Sequence, residues 1–131
     1  MTVGIYGATG QVGGVMRDTL RRRAAGPGSP AGGPGLEVSA LRLLASARSA
    51  GREIDGIVVE DIATADHRGV DIALFSMGAG ASRQWAPAVA AAGAIVVDNS
   101  SAWRMDPAVP LVVPEVNAGE LRRIPKGIVA N

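Results

Sequence analysis

Cysteine is absent from this 131-residue chain, so disulfides, thiolate metal sites and a cysteine nucleophile are excluded among these residues. Histidine occurs once, at His67, which rules out a zinc site with recognisable ligand spacing; no metal is expected. Charged residues make up only 19% of the chain, below the usual share, which predicts a surface partly covered by something else. The net charge is +1, and Arg21-Arg22-Arg23 is the longest basic run, so no clustered face for nucleic acid is expected. No apolar stretch reaches the roughly 18 residues of a membrane span. The N-terminus enters a strand pattern directly, without the charged and apolar regions of a signal peptide. A soluble, cytoplasmic chain without membrane or nucleic-acid partners is the expectation.

What remains is a chain of single-domain size in which 47% of residues are apolar, enough for a buried core. Val3–Tyr6 is a short apolar run ending at Gly7, and Val12, Val15, Met16 and Leu20 then recur at helical spacing, with three arginines in the last turn. Residues 24–35 (AAGPGSPAGGPG) read as a flexible Pro/Gly-rich insertion without chemistry. Leu41–Ala45 predicts a second buried strand, and Glu53–Glu60 an extended or hairpin segment around Gly56. Val70–Ser76 predicts a strong strand, Met77–Gly80 a turn, Ser82–Ala92 a helix ended by Gly93, and Ala94–Asp98 another strand. Asn99–Pro110 reads as a loop, Leu111–Val113 as a short strand, Ala118–Arg122 as a short helix and Ile128–Ala130 as a strand. The alternation predicts an α/β fold, a Rossmann-like, doubly wound and mostly parallel sheet forming one domain over residues 1–131.

Two segments carry chemistry. Gly7-Ala8-Thr9-Gly10-Gln11-Val12-Gly13 spells G-x-x-G-x-x-G between a strand and a helix. Glycines there let a backbone approach a pyrophosphate, the helix N-terminus offers N–H groups, and Thr9 adds a hydroxyl donor. The competing reading is a tight strand-to-helix turn and nothing more. At the end of the second strand stand Ser46, Arg48, Ser49 and Arg52, with no acidic residue before Glu53. A carboxylate at this place accepts from a ribose 2′-hydroxyl, whereas an arginine fork accommodates a 2′-phosphate. The pattern predicts NADP(H) rather than NAD(H), unless the segment is only a solvated loop.

The segments GATGQVG, SARSAGR, VDIALFSMGAG, DNSSAWR, PEVN and KGIVAN together resemble aspartate-semialdehyde dehydrogenase, over nearly the whole chain except residues 24–35. DNSSAWR and PEVN are the specific ones. The resemblance implies NADPH-dependent reduction of an acyl phosphate, L-4-aspartyl phosphate, to the semialdehyde with release of inorganic phosphate. It places this reaction in the aspartate route to lysine, threonine, methionine and diaminopimelate. It implies a cysteine thiolate that forms a thioester, a histidine acid–base partner, and a homodimer for the full-length enzyme. Carried over by position, Gly7, Thr9, Gly10, Gln11 and Val12 form the pyrophosphate loop, and Arg48 and Ser49 take the 2′-phosphate. Ser76 and Gly78 pass the nicotinamide ribose, and Arg104 grips the substrate phosphate, its alternative being a salt bridge to Asp98 or Asp106. Asn131 falls just before the expected nucleophile, or else caps a strand end.

No catalytic residue is expected within these 131 residues. The chain reads as the NADP-binding portion of such an enzyme, ending before the catalytic and dimerisation domain, and inactive alone. His67, between Asp66 and Arg68, is expected on an exposed turn. Trp85 is expected in packing, Trp103 as a loop anchor, and Glu115 and Asn117 in structural roles. Two other readings are N-acetyl-gamma-glutamyl-phosphate reductase, which shares the glycine loop, and a non-catalytic NADP(H)-binding module.

Overall fold

A computed structural model describes residues 1–24 and 37–131; the 24–35 insertion lies outside the described residues save for Ala24. In chain order the elements are β1 (Thr2–Tyr6), α1 (Gln11–Ala24), β2 (Ala40–Ala45), β3 (Glu53–Ile54), β4 (Ile57–Asp61), β5 (Ile72–Phe75), α2 (Ala79–Ala91), β6 (Ile95–Asp98), α3 (Pro114–Asn117), a 3-10 turn (Ala118–Arg122) and β7 (Ile128–Ala130). The strands form one sheet in the order β3-β4-β2-β1-β5-β6-β7. Every pairing is parallel except β3 with β4, a two-residue antiparallel hairpin turning at Asp55-Gly56. The doubly wound, mostly parallel fold expected from the sequence is the one observed.

Strand alternation divides the core between two faces. Ile5, Leu43 and Val59 meet Met16 and Leu20 of α1 on one face. Tyr6, Leu44, Phe75, Val96 and Ile128 meet Ala86 and Val89 of α2 on the other. Because the chain runs outward from β1 through β2 and β4, then returns to β5 beside β1, the winding reverses between β1 and β5. In open α/β sheets the crevice outside the carboxyl ends of the strands at such a reversal is where ligands bind. Gly7–Gly10, Ser46–Arg52, Met77-Gly78 and Asn99–Arg104 follow parallel strands and so share that edge.

Several boundaries differ from expectation. The fourth long strand is shorter than Val70–Ser76, and α2 begins at Ala79, inside the expected turn. Gly78, at φ 84°, completes the reversal alone, which leaves Gly80 helical. Leu111–Val113 makes a single bridge to Ala130 instead of a strand. Pro110 supplies no N–H for a ladder, and Pro114 opens α3, a helical turn the sequence reading lacked. The short helix expected at residues 118–122 is present, as a 3-10 turn. Large apolar side chains stay exposed at Val15, Met105 and Val116, the last two at 92% and 82%.

Candidate functional site

The glycine loop turns on three glycines with different duties. Gly7 sits at φ 90°, and a Cβ there would meet the Ser76 carbonyl oxygen at 2.9 Å. Gly13, in the first turn of α1, would bring its Cβ to 2.4 Å from the Gly7 carbonyl oxygen and 2.9 Å from Ala8 Cα. Both identities are therefore dictated by the protein's own packing. Gly10 is different: it is exposed, and its Cβ would meet only the Gly7 oxygen, at 3.4 Å. Nothing in the described residues requires glycine there. The Leu44 carbonyl accepts from the Gly7 and Ala8 N–H groups at 2.8 and 3.2 Å, and Gly14 is bonded back to Gly10 at 3.0 Å. The N–H groups of Gln11, Val12 and Gly13 precede that bond, in the part of a helix without intrahelical partners. Thr9, Gly10, Gln11 and Val12 are all exposed.

The loop after β2 folds as a turn closed by Ser49 and Ala50 N–H groups on the Ser46 carbonyl, at 2.9 and 3.2 Å. Thr9 Oγ1 donates to Ser49 Oγ at 3.4 Å, which brings the glycine loop and the second loop side by side. Arg48 is exposed and, among the described residues, makes no hydrogen bond or ion pair. After β5, Ser76 Oγ reaches the Tyr6 and Gly7 carbonyl oxygens at 3.3 and 3.5 Å, so its hydroxyl ties β5 to β1 at the winding reversal. Gly78 is exposed at the start of α2. Val12 lines a small apolar groove of about 260 Å³ with Val15, Met16, Leu20 and Leu74.

The DNSSAWR loop is built from within. Buried Asp98 accepts from Ser100 Oγ at 2.6 Å and Ser100 N at 3.2 Å, and Ser100 Oγ accepts from Ala102 N at 3.2 Å. Trp103 Nε1 donates to buried Ser82 Oγ at 3.0 Å, so it anchors the loop on α2. Arg104, exposed, donates from Nε and Nη2 to the Asn131 main-chain oxygen at 3.2 and 2.9 Å. It pairs with neither Asp98 nor Asp106; the latter binds Lys126 at 2.6 Å, which lowers the Asp106 pKa. Asn131 Nδ2 donates to Val112 O, and Asn117 braces Val113 and Leu111. Trp85 packs against the α2-side core.

His67 does not sit on an exposed turn. Its ring lies 5.7 Å from that of fully buried Tyr6, whose hydroxyl is 3.0 Å from His67 Nδ1, and 6.5 Å from Trp85. Burial lowers the His67 pKa and raises that of Tyr6 to about 12. The polar neighbours Asp66 and Arg68 take up each other in a salt bridge of 2.7 Å, leaving the imidazole to pack inward. Sequence reasoning also missed Arg17, which donates from Nη1 to the Ala8 carbonyl and from Nε to Asp55 at 3.0 Å. A legible signal existed: Arg17 follows Gly13 by four residues, on the face of α1 that packs against the loop.

The model of the semialdehyde dehydrogenase NAD binding domain matches residues 2–124. The chain belongs to that family. Aspartate-semialdehyde dehydrogenase of Streptomyces akiyoshiensis is 56% identical over all 131 residues, and that of Corynebacterium glutamicum 48% identical over 99% of the chain. The chain spans 36% and 37% of the length of those two relatives. Among solved structures, Vibrio cholerae aspartate semialdehyde dehydrogenase II complexed with ASA superposes with a TM-score of 0.86 at 40% identity. That superposition covers 99% of this chain and 40% of the other. The Candida albicans enzyme with NADP, at 23% identity and a TM-score of 0.66, shares the fold.

Proposed function

We propose that this chain is the NADP(H)-binding portion of an aspartate-semialdehyde dehydrogenase. The observation that carries the reading is the pairing of a glycine loop open at Gly10 with an unpaired arginine, Arg48, across the Thr9–Ser49 hydrogen bond of 3.4 Å. Thr9, Gly10, Gln11 and Val12 would hold the pyrophosphate through main-chain N–H groups and the Thr9 hydroxyl, helped by the α1 dipole. Arg48 and Ser49 would take the ribose 2′-phosphate, a dianion suited to a guanidinium fork and a hydroxyl. Gly78 would admit the nicotinamide ribose at the winding reversal, with Ser76 holding the turn. When bound, NADPH supplies hydride to an acyl carbon.

Arg104 is proposed to grip the phosphate of the acyl-phosphate substrate, L-4-aspartyl phosphate. Its guanidinium projects from a loop that Asp98, Ser100, Trp103 and Ser82 hold in place, so the donor is positioned before substrate arrives. The 131 residues contain no cysteine, so the thioester step has no nucleophile among them, and the chain alone is proposed to bind nucleotide without turnover. The full-length enzyme is proposed to work as a homodimer. The relatives' names favour the aspartyl over the N-acetyl-gamma-glutamyl substrate.

The test is cofactor preference. Titration calorimetry should show tighter binding of NADPH than NADH, and Arg48→Ala should remove most of the difference, roughly tenfold or more for a charge-assisted contact. Equal affinities in the unmodified chain would overturn the 2′-phosphate assignment.

A further inference from the structure

Arg17 is a cation placed where α1 otherwise buries apolar residues: its side chain is only 16% exposed. Its two contacts point to opposite halves of the proposed nucleotide site. Nη1 donates to the carbonyl of Ala8, inside the glycine loop, and Nε donates to Asp55 Oδ2 at 3.0 Å. Asp55 stands at the tip of the β3–β4 hairpin, where it is the one described non-glycine residue with positive φ, at 58°. Arg21 Nη2 meets the same carboxylate at 2.7 Å, so two arginines of α1 hold one hairpin tip.

That hairpin continues directly from the Ser46–Arg52 loop. Gly51 N–H donates to the Val59 carbonyl at 2.8 Å, and Val59 N–H donates to the Arg52 carbonyl at 2.8 Å, so the end of the loop moves with the hairpin. On the other side, fixing the Ala8 carbonyl fixes its whole peptide plane. The peptide is trans, so the Thr9 N–H is directed opposite to Arg17. One guanidinium therefore sets both the orientation of the glycine loop and its separation from the loop that bears Arg48 and Ser49.

We propose that Arg17 is a positioning residue that, through Ala8 and Asp55, holds the two anion-binding loops at the separation of the pyrophosphate and the 2′-phosphate of one bound cofactor. The inference rests on the NADP(H) reading above. It predicts a loss that depends on how much of the site a ligand spans. A dinucleotide with a 2′-phosphate engages both loops, whereas adenosine 2′-monophosphate, which has no 5′-phosphate, engages only the second.

The experiment is titration calorimetry of the chain with NADPH, NADH and adenosine 2′-monophosphate, in unmodified form and as Arg17→Met, Asp55→Gly and Asp55→Asn. Glycine at position 55 accepts the positive φ, so Asp55→Gly removes the carboxylate without backbone strain. Arg17→Met should weaken NADPH about tenfold and weaken NADH as well, since the glycine loop loses its tether. Asp55→Gly should weaken NADPH several-fold and leave NADH nearly unchanged, with Asp55→Asn recovering part of the loss. The 2′-monophosphate should bind all forms within about twofold. Should Arg17→Met fail to fold by circular dichroism, the Asp55 pair decides alone. NADPH affinity unchanged in the Asp55 variants, or a loss equal for all three ligands, overturns the proposal. An unmodified chain that binds neither dinucleotide overturns the nucleotide reading itself, and the positioning role falls with it.

Discussion

Gly13→Ala and Gly10→Ala form a matched pair in which the structure separates folding from binding. At Gly13 a methyl group would stand 2.4 Å from the Gly7 carbonyl oxygen and 2.9–3.0 Å from the Ala8 backbone. All three atoms are main chain, so relief requires α1 to lift from the loop. Overpacking of this kind costs about 1–3 kcal/mol, and backbone opposition favours the upper part of that range. Alanine regains at most about 1 kcal/mol of helix propensity, less in a first turn. The net expectation is a destabilisation of about 2 kcal/mol, or a fall in Tm of roughly 6–10 °C for a chain of this size. At Gly10 the new methyl meets only one atom, at 3.4 Å, so stability should change by no more than about 0.5 kcal/mol. That methyl would nonetheless occupy the surface proposed for the pyrophosphate, and NADPH affinity should drop about tenfold or more. Urea unfolding followed by circular dichroism, with calorimetric titration of both variants, reads the two effects. A Gly13→Ala chain as stable as the unmodified one, or a Gly10→Ala chain with intact affinity, would refute the division of roles.

Further outcomes follow from the Tyr6–His67 pair. The chain has one tyrosine and one histidine, so each titration is directly assignable. The Tyr6 pKa is raised from 10.0 to about 12, mainly by burial, so the unfolded chain loses its phenolic proton first. Stability should therefore fall by about 2–3 kcal/mol as pH rises from 10 through 12, an effect absent in Tyr6→Phe. The His67 pKa is lowered by burial, so the unfolded chain binds the extra proton first on acidification. Stability should decline as pH falls below about 6.5 and level off once the folded pKa is passed, and His67→Gln should flatten that slope. Tyr6→Phe, measured at neutral pH, should cost about 1–2 kcal/mol by leaving the His67 ring without its hydroxyl partner.

The sequence displays its strands well because a parallel sheet covered by helices makes them continuous apolar runs, as in IALF and IVVD. The β3–β4 hairpin was legible through Gly56, whose φ of 78° suits the turn. Less visible were features set by contacts between distant residues. His67 is flanked by Asp66 and Arg68 and looks solvated, yet its packing is decided by Tyr6, 61 residues away. The start of α2 was obscured by Gly80, which in isolation signals a turn. The candidate site shows the same division. Thr9, Gly10, Arg48 and Ser49 stand out as motif residues, and Thr9 and Ser49 meet in the folded chain. Arg17 belongs to no motif; its spacing from Gly13 marks the loop-facing side of α1, but its partners Ala8 and Asp55 are set only when α1, the loop and the hairpin come together. Arg104 stood out in DNSSAWR, but its partner, the Asn131 main chain, depended on the pairing of β6 with β7.

The most direct measurement is a map of backbone amide shifts as NADP⁺ is titrated into the ¹⁵N-labelled chain. The account predicts saturable changes concentrated at Thr9–Val12, Ser46–Ser49 and Gly78, with the groove lined by Pro107, Pro110, Arg123 and Pro125 unaffected. Silence at the glycine loop, or changes centred on that groove, would contradict it.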